Sequence, residues 1–210
     1  MSHSIPAIET LERAPEAQRA PRNAAALFCT ALAVAAMALS YFQPFWTFKL
    51  YAPQYPSGLT LTISLTGFSG DVREIDMLNH YIGMGSLEHG APLERRYSKQ
   101  LVAVACASVL AFALLRSRRG AALAAAVGVL YPLGFLLDTF YWLHRFGHTL
   151  DPRAPLRIDA FTPQLFGNGS IGQFLTFAAP ELGFWASIAA AGLLLVAAAL
   201  RYREERPCCA

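Results

Sequence analysis

Four long apolar runs dominate the chain, and polar segments of unequal length separate them. Each run approaches about 20 residues, which is the length that a helix rising about 1.5 Å per residue needs to cross the hydrocarbon core of a bilayer. The pattern predicts an all-α membrane protein with four transmembrane helices. The runs cover residues 24–43, 100–115, 120–137 and 182–200.

The first long loop, residues 44–99, carries a second kind of pattern. Apolar and polar residues alternate with the period of a strand over 46–51 and again over 59–66, and a turn-rich stretch separates them. Asp71 then begins a short helix that continues to about Met84. We therefore expect a small extracytoplasmic cap containing a β-hairpin and a short helix.

Positive charge is concentrated in the short segments. Nine of the 17 basic residues lie before the first run, between the second and third runs, and after the last, whereas the long loops 44–99 and 138–181 hold the other eight at lower density. The positive-inside rule places both termini in the cytoplasm and both long loops outside. The nine residues are Arg13, Arg19, Arg22, Arg116, Arg118, Arg119, Arg201, Arg203 and Arg206.

This orientation divides the chain into three parts. Residues 1–23 are a disordered cytoplasmic tail, residues 24–200 are the membrane domain with its outer loops, and residues 201–210 are a second cytoplasmic tail. An alternative reading makes the first run a signal peptide, cleaved after Ser40, which would leave three spans. The aromatic residues that follow the run favour an uncleaved anchor with an interfacial belt.

Composition excludes several function classes. Charged residues make up 15% of the chain, against about 25% in soluble domains, and no basic cluster interleaves with aromatic residues, so no nucleic-acid partner is expected. No cysteine lies in either long loop, which excludes an external disulfide. No Walker, H-E-x-x-H, G-x-S-x-G or C-x-x-C-H motif is present, and the chain is not expected to be an enzyme.

Histidine and methionine side chains in the outer segments suggest a metal site. Met77, His80 and Met84 are spaced i, i+3, i+7 on the short outer helix, and His89 follows in a glycine-flanked segment. Thioether and imidazole groups are the ligands expected of a soft ion, so Cu(I) is favoured. The alternative is that the methionines only fill the apolar face of an amphipathic helix.

A second set lies at the outer end of the third run. His144 and His148 are an i, i+4 pair, the spacing at which two imidazoles of one helix reach the same ion. Interfacial histidines that bind nothing are the alternative. Asp138, a carboxylate in an apolar run, is expected to pair with Arg145 or to contact an imidazole.

Three stretches of the outer loops resemble a known family. They are residues 51–59, residues 78–84, and residues 146–152 together with 161–167. These stretches resemble small bacterial inner-membrane proteins associated with the NosL/NosD-type copper-maturation machinery of nitrous oxide reductase.

The resemblance implies a location in the bacterial inner membrane and an accessory role in handling copper outside the cytoplasm. It implies that His80, Met84 and His148 are the main ligands, with Asn79 and Asp151 as supports. The predicted function is an extracytoplasmic copper-binding or copper-transfer accessory protein that contacts membrane lipid and a membrane or secreted partner protein. The alternatives are a metal-free scaffold that docks a partner through its outer loops, and a redox subunit that binds haem or quinone.

Overall fold

A computed structural model describes residues 24–115, 117–171 and 174–204. The predicted tail over 1–23 and the end of the chain from 205 onward lie outside the described residues. The elements are α1 (Ala24–Ser40), β1 (Trp46–Ala52), β2 (Tyr55–Ser64), β3 (Gly67–Gly70), α2 (Val72–Tyr81), a 3₁₀ helix (Leu87–His89), α3 (Pro92–Leu114), α4 (Arg118–His148), β4 (Gly167–Ile171), β5 (Phe174–Pro180) and α5 (Leu182–Glu204).

The predicted all-α class is wrong, because the described residues include a five-stranded antiparallel sheet in the order β3-β2-β1-β5-β4. The predicted hairpin is present as β1 and β2, and the short outer helix is present as α2. The second long loop supplies two further strands, and β5 pairs with β1 in antiparallel register, with Trp46 opposite Pro180. The loop therefore completes the sheet.

The predicted set of four spans is also wrong. Among the described residues, three helices are long and apolar enough to cross a membrane, namely α3, α4 and α5. The described part of the fourth apolar helix, α1, has 17 residues and ends at Ser40, because the chain turns at Tyr41 and enters β1 at Trp46. α3 is longer than predicted, since it begins with Pro92 in its first turn, a position where the missing proline N–H costs no hydrogen bond.

The helices pack around a core of small and aliphatic side chains. Ala33 and Met37 of α1 are fully buried, as are Val109 of α3 and Ala190 of α5, and Leu194 of α5 is 1% exposed. Alanines allow close approach of the helix axes, and the larger side chains fill the remaining space. This core fixes α1, α3, α4 and α5 as one bundle.

The sheet lies at one end of this bundle, and arginines lie at the other. α1 leads directly into β1 and β5 leads directly into α5, so the β1–β5 pair holds the adjoining helix ends together. At the opposite end, the Arg201 guanidinium donates to the carbonyl of Ala113 at 2.9 Å, and Arg118 stacks over Tyr202, 5.4 Å from its ring centroid. The two ends of the bundle thus differ in chemistry.

The segment between α4 and β4 is folded against the sheet. The indole N–H of Trp46 donates to the carbonyl of Leu165 at 2.9 Å. Leu156, Ile158 and Phe161 join an apolar cluster with residues of the sheet and of the α2 end. The segment therefore forms part of the outer cap.

Candidate functional site

The predicted copper ligands of the first outer loop lie in different environments. α2 ends at Tyr81, and Gly83 turns the chain with a φ of +82°, so Met84 lies beyond the helix and off its stripe. Met84 is half-buried in the apolar cluster at the end of the sheet. Met77 is 61% exposed and His80 is exposed. Met77 and His80 therefore face the surface, and Met84 packs inside the cap.

His144 and His148 lie side by side near the end of α4, as their spacing predicts. Their ring centroids are 3.8 Å apart. The Nδ1–H of His148 donates to the carbonyl of His144 at 2.9 Å, and the Nδ1 of His144 is 3.0 Å from the Thr162 hydroxyl. Neither Nε2 atom has a hydrogen-bond partner among the described residues, and His148, whose Nδ1–H is held by a carbonyl, has the arrangement of an imidazole that binds a metal through Nε2.

The two outer segments meet through their backbones. The N–H of Asp151 donates to the carbonyl of Gly83 at 2.8 Å, and the N–H of Leu156 donates to the carbonyl of Tyr81 at 3.1 Å. His89 is exposed in the 3₁₀ helix. Within the described ranges, no three His, Cys, Asp or Glu side chains are grouped to hold a metal ion. The segments converge, and the role of the six predicted ligands stays a prediction.

A cavity of about 530 Å³ lies beneath the sheet. Its volume is within the range of about 300–1,000 Å³ that is typical of small-molecule sites. Its walls are the inner face of β1 and β2, α2, the first turns of α3 and the outer half of α4. Most of the lining is aliphatic or aromatic, including Phe48, Leu50, Leu61, Ile63, Phe68, Ile75, Leu78, Ile82, Val102, Tyr131, Phe135, Trp142, Phe146 and Phe174.

Two carboxyl groups face this cavity from neighbouring helices. Glu94 lies in the first turn of α3, and its Oε2 is buried without a hydrogen-bond partner among the described residues. Asp138 of α4 is half-buried and close enough to interact electrostatically with Glu94. The indole Nε1 of Trp142 is buried near the Asp138 carboxyl, but the two groups are not aligned well enough to form a hydrogen bond. A buried oxygen without a partner is costly, so this end of the cavity favours a hydrogen-bond donor.

The cation predicted to neutralise Asp138 has other partners. Arg145 donates to the Tyr141 hydroxyl at 3.0 Å, and its guanidinium lies over the Trp142 ring, 5.3 Å from the centroid. Arg95 and Lys49 do line the cavity, but the Arg95 guanidinium donates to the carbonyl of Glu88 and lies 5.2 Å from the Phe68 ring centroid. The carboxyl groups therefore face the cavity without a dedicated ion-pair partner among the described residues.

The cavity opens on the apolar flank of the bundle. Leu101 of α3 and Leu130 of α4 line it and are 61% and 62% exposed. Gly134 of α4 also lines it, and a Cβ added there would meet nothing within 4 Å. An apolar molecule could therefore enter between α3 and α4 from the surface that a membrane-spanning helix presents to lipid.

The sequence pattern does not single out Glu94, because this residue lies in the long loop 44–99, before the apolar run that begins at residue 100. Pro92 followed by a carboxylate two positions later is a helix-start signal, and it would have extended α3 outward by about two turns. The sequence does mark Asp138 as an unusual carboxylate in an apolar run, but periodicity along α4 cannot show which neighbouring element its side chain faces. The aromatic wall from the sheet depends on pairings between distant strands.

The length and composition of α3, α4 and α5 define the class: this is a membrane protein with three candidate spanning helices among the described residues and a five-stranded sheet at one end of the helix bundle. No protein-family model matches the chain, and no curated protein matches it. These comparisons do not bear on the resemblance to copper-maturation proteins.

Proposed function

We propose that this protein is a membrane binding protein for a lipophilic small molecule, which enters the cavity under the sheet from the lipid phase. One observation carries the proposal, namely the apolar cavity of about 530 Å³ that opens between α3 and α4. The protein would bind, present or sense such a molecule without transforming it, in keeping with the absence of catalytic motifs in the sequence.

The size of the cavity supports an occupant. Its volume of about 530 Å³ can hold a small molecule. A bound apolar molecule would make dispersion contacts with the lining side chains.

The distribution of charge supports an orientation. Arg118, Arg119, Arg201 and Arg203 lie at the end of the bundle away from the sheet, so the positive-inside rule places that end in the cytoplasm. The sheet and the cavity then face the outside of a bacterial inner membrane, with both described chain ends cytoplasmic. Accessibility of single cysteines introduced at exposed Ser57 and exposed Arg203 to an impermeant reagent tests this orientation.

Filling the cavity tests the binding function. Gly134→Leu directs a side chain into the open space, whereas Gly192→Leu in α5 is a matched control, because a Cβ there also meets nothing within 4 Å and Gly192 does not line the cavity. Extraction and mass spectrometry of the purified protein should recover a lipophilic molecule from the wild type and from Gly192→Leu. Gly134→Leu should retain at most about a tenth as much. Equal recovery from all three proteins would refute the proposal.

The histidine pair favours a second function, the handling of copper at the outer face. Two adjacent exposed imidazoles would supply two ligands and leave further coordination positions open for a donor on a partner protein, which metal transfer requires. Titration with Cu(I) should show one site in the wild type, and His144→Ala with His148→Ala should weaken it at least about tenfold. His89→Ala is the matched control. If no site is detected, the metal-free scaffold becomes the better interpretation of the outer loops.

A further inference from the structure

We propose that the cavity selects an aromatic lipid whose head bears free hydroxyl groups, the chemistry of a membrane hydroquinone, over its oxidised quinone and over aliphatic lipids. The inference rests on the proposed binding function and adds the ligand class. It is argued from three properties of the cavity: its aromatic rings, its carboxyl groups and its balance of charge.

Aromatic rings line the cavity on several sides. Two of these rings, Phe48 and Phe68, belong to strands of the sheet. Three others belong to α4, namely Phe135, Trp142 and Phe146. The rings of Trp142 and Phe146 are tilted by 42° with centroids 5.7 Å apart, and both line the cavity. Offset and edge-to-face contacts favour an aromatic head group over an alkyl chain of equal volume.

The polar groups of the cavity require a donor. A carboxylate only accepts hydrogen bonds, and Glu94 presents a buried Oε2 without a partner among the described residues. A hydroxyl group donates to such an oxygen through a charge-assisted hydrogen bond, whereas a quinone carbonyl has no proton to donate. Asp138 provides a second carboxyl group for a second hydroxyl. The reduced form of the ring therefore fits better than the oxidised form.

The charges that line the cavity disfavour an anionic head. Glu94 and Asp138 would repel a phosphate or carboxylate, and the Arg95 guanidinium already donates to the carbonyl of Glu88. An ammonium head could reach the carboxyl groups, but an alkyl ammonium lacks the ring that packs against the aromatic lining. The apolar tail of a hydroxyl-bearing ring can leave between Leu101 and Leu130 into the lipid.

Calorimetric titration of the detergent-solubilised full-length protein tests the inference with four probes of equal chain length. The probes are an alkyl hydroquinone kept reduced, the corresponding alkyl quinone, an n-alkanol and an alkyl ammonium salt. We expect the hydroquinone to bind at least about tenfold more tightly than the quinone, as the loss of one hydrogen bond to a charged group implies, and more tightly than the alkanol and the ammonium salt, which keep a donor but lack the aromatic ring. Glu94→Gln should reduce the preference over the quinone to less than about threefold, and Glu88→Gln, an exposed site outside the cavity, should leave it unchanged.

Each outcome separates this inference from the proposed function. Equal binding of all four probes, lost in Gly134→Leu, overturns the hydroquinone assignment and leaves the binding function standing. Preference for the ammonium probe or for the quinone also overturns the assignment. Absence of binding by every probe, together with no recovered lipid in the wild type, overturns both.

Discussion

The sharpest test of the outer cap is the substitution Gly147→Ala near the end of α4. A Cβ on Gly147 would lie well inside van der Waals contact with the carbonyl oxygen of Phe161 and 2.9 Å from its carbonyl carbon. This neighbour is backbone, so rotation of a side chain cannot relieve the clash. The segment after α4 must move away, and the hydrogen bond from the Phe161 N–H to the Gly147 carbonyl, 3.1 Å long, must break.

The expected cost follows from the contacts that are lost. The hydrogen bond contributes about 0.5–1.5 kcal/mol net, and withdrawing the half-buried Phe161 ring loses about half of the 1.5–3 kcal/mol of a fully buried phenylalanine. Replacing a helical glycine by alanine returns at most about 1 kcal/mol. We expect a net loss of about 1–2 kcal/mol, which raises the population of the detached segment by a factor of about 5–30.

Limited trypsin digestion measures this population directly. Arg153 and Arg157 lie in the segment and are exposed, and cleavage after local opening follows the open population when opening is fast. Cleavage at these two sites should be about 5–30 times faster in Gly147→Ala than in the wild type. Gly192→Ala, in open space on α5, is the control and should behave as wild type. An unchanged cleavage rate in Gly147→Ala would show that the segment does not pack against α4 as described.

Two further substitutions test hydrogen bonds that connect other segments of the cap. Trp46→Phe removes the donor to the Leu165 carbonyl and should lower the free energy of unfolding by about 1–2 kcal/mol, measured by denaturant titration; a loss below about 0.3 kcal/mol would contradict this bond. Asp76→Ala removes the carboxylate that accepts from the Leu87 N–H at 2.8 Å and from the Ser86 hydroxyl at 2.7 Å, and it should accelerate amide exchange at Leu87 at least about tenfold. Unchanged protection there would refute this connection between α2 and the 3₁₀ helix.

Local patterns in the sequence predicted the elements that depend on neighbouring residues. Apolar runs of helical length located α3, α4 and α5, and the alternation over 59–66 located β2. The i, i+4 spacing placed His144 beside His148. These features follow from the helical and strand periods alone, so they can be read without knowing the rest of the fold.

The remainder depends on contacts between distant parts of the chain. β5 pairs with β1 across more than 100 residues, and its composition over 174–180 also suits a loop near a membrane surface. Helical periodicity puts Met84 on the same stripe as His80, but periodicity does not show where a helix stops. The helix ends at Tyr81, and the positive φ of Gly83 turns the chain away from the helix axis before Met84. The cavity was missed for the same reason, since its walls come from strands and helices that lie far apart in the sequence.

The antiparallel pairing of β1 with β5 has a consequence for biosynthesis. β1 leaves the ribosome long before β5, so one edge of the first hairpin stays open while the intervening helices are made and inserted. In the proposed orientation, the cap closes only after residues 174–180 have been translated and moved across the bilayer, just ahead of the last helix. Completion of the sheet is then coupled to insertion of α5, and a nascent chain halted earlier leaves the β1 edge unpaired and open to aggregation.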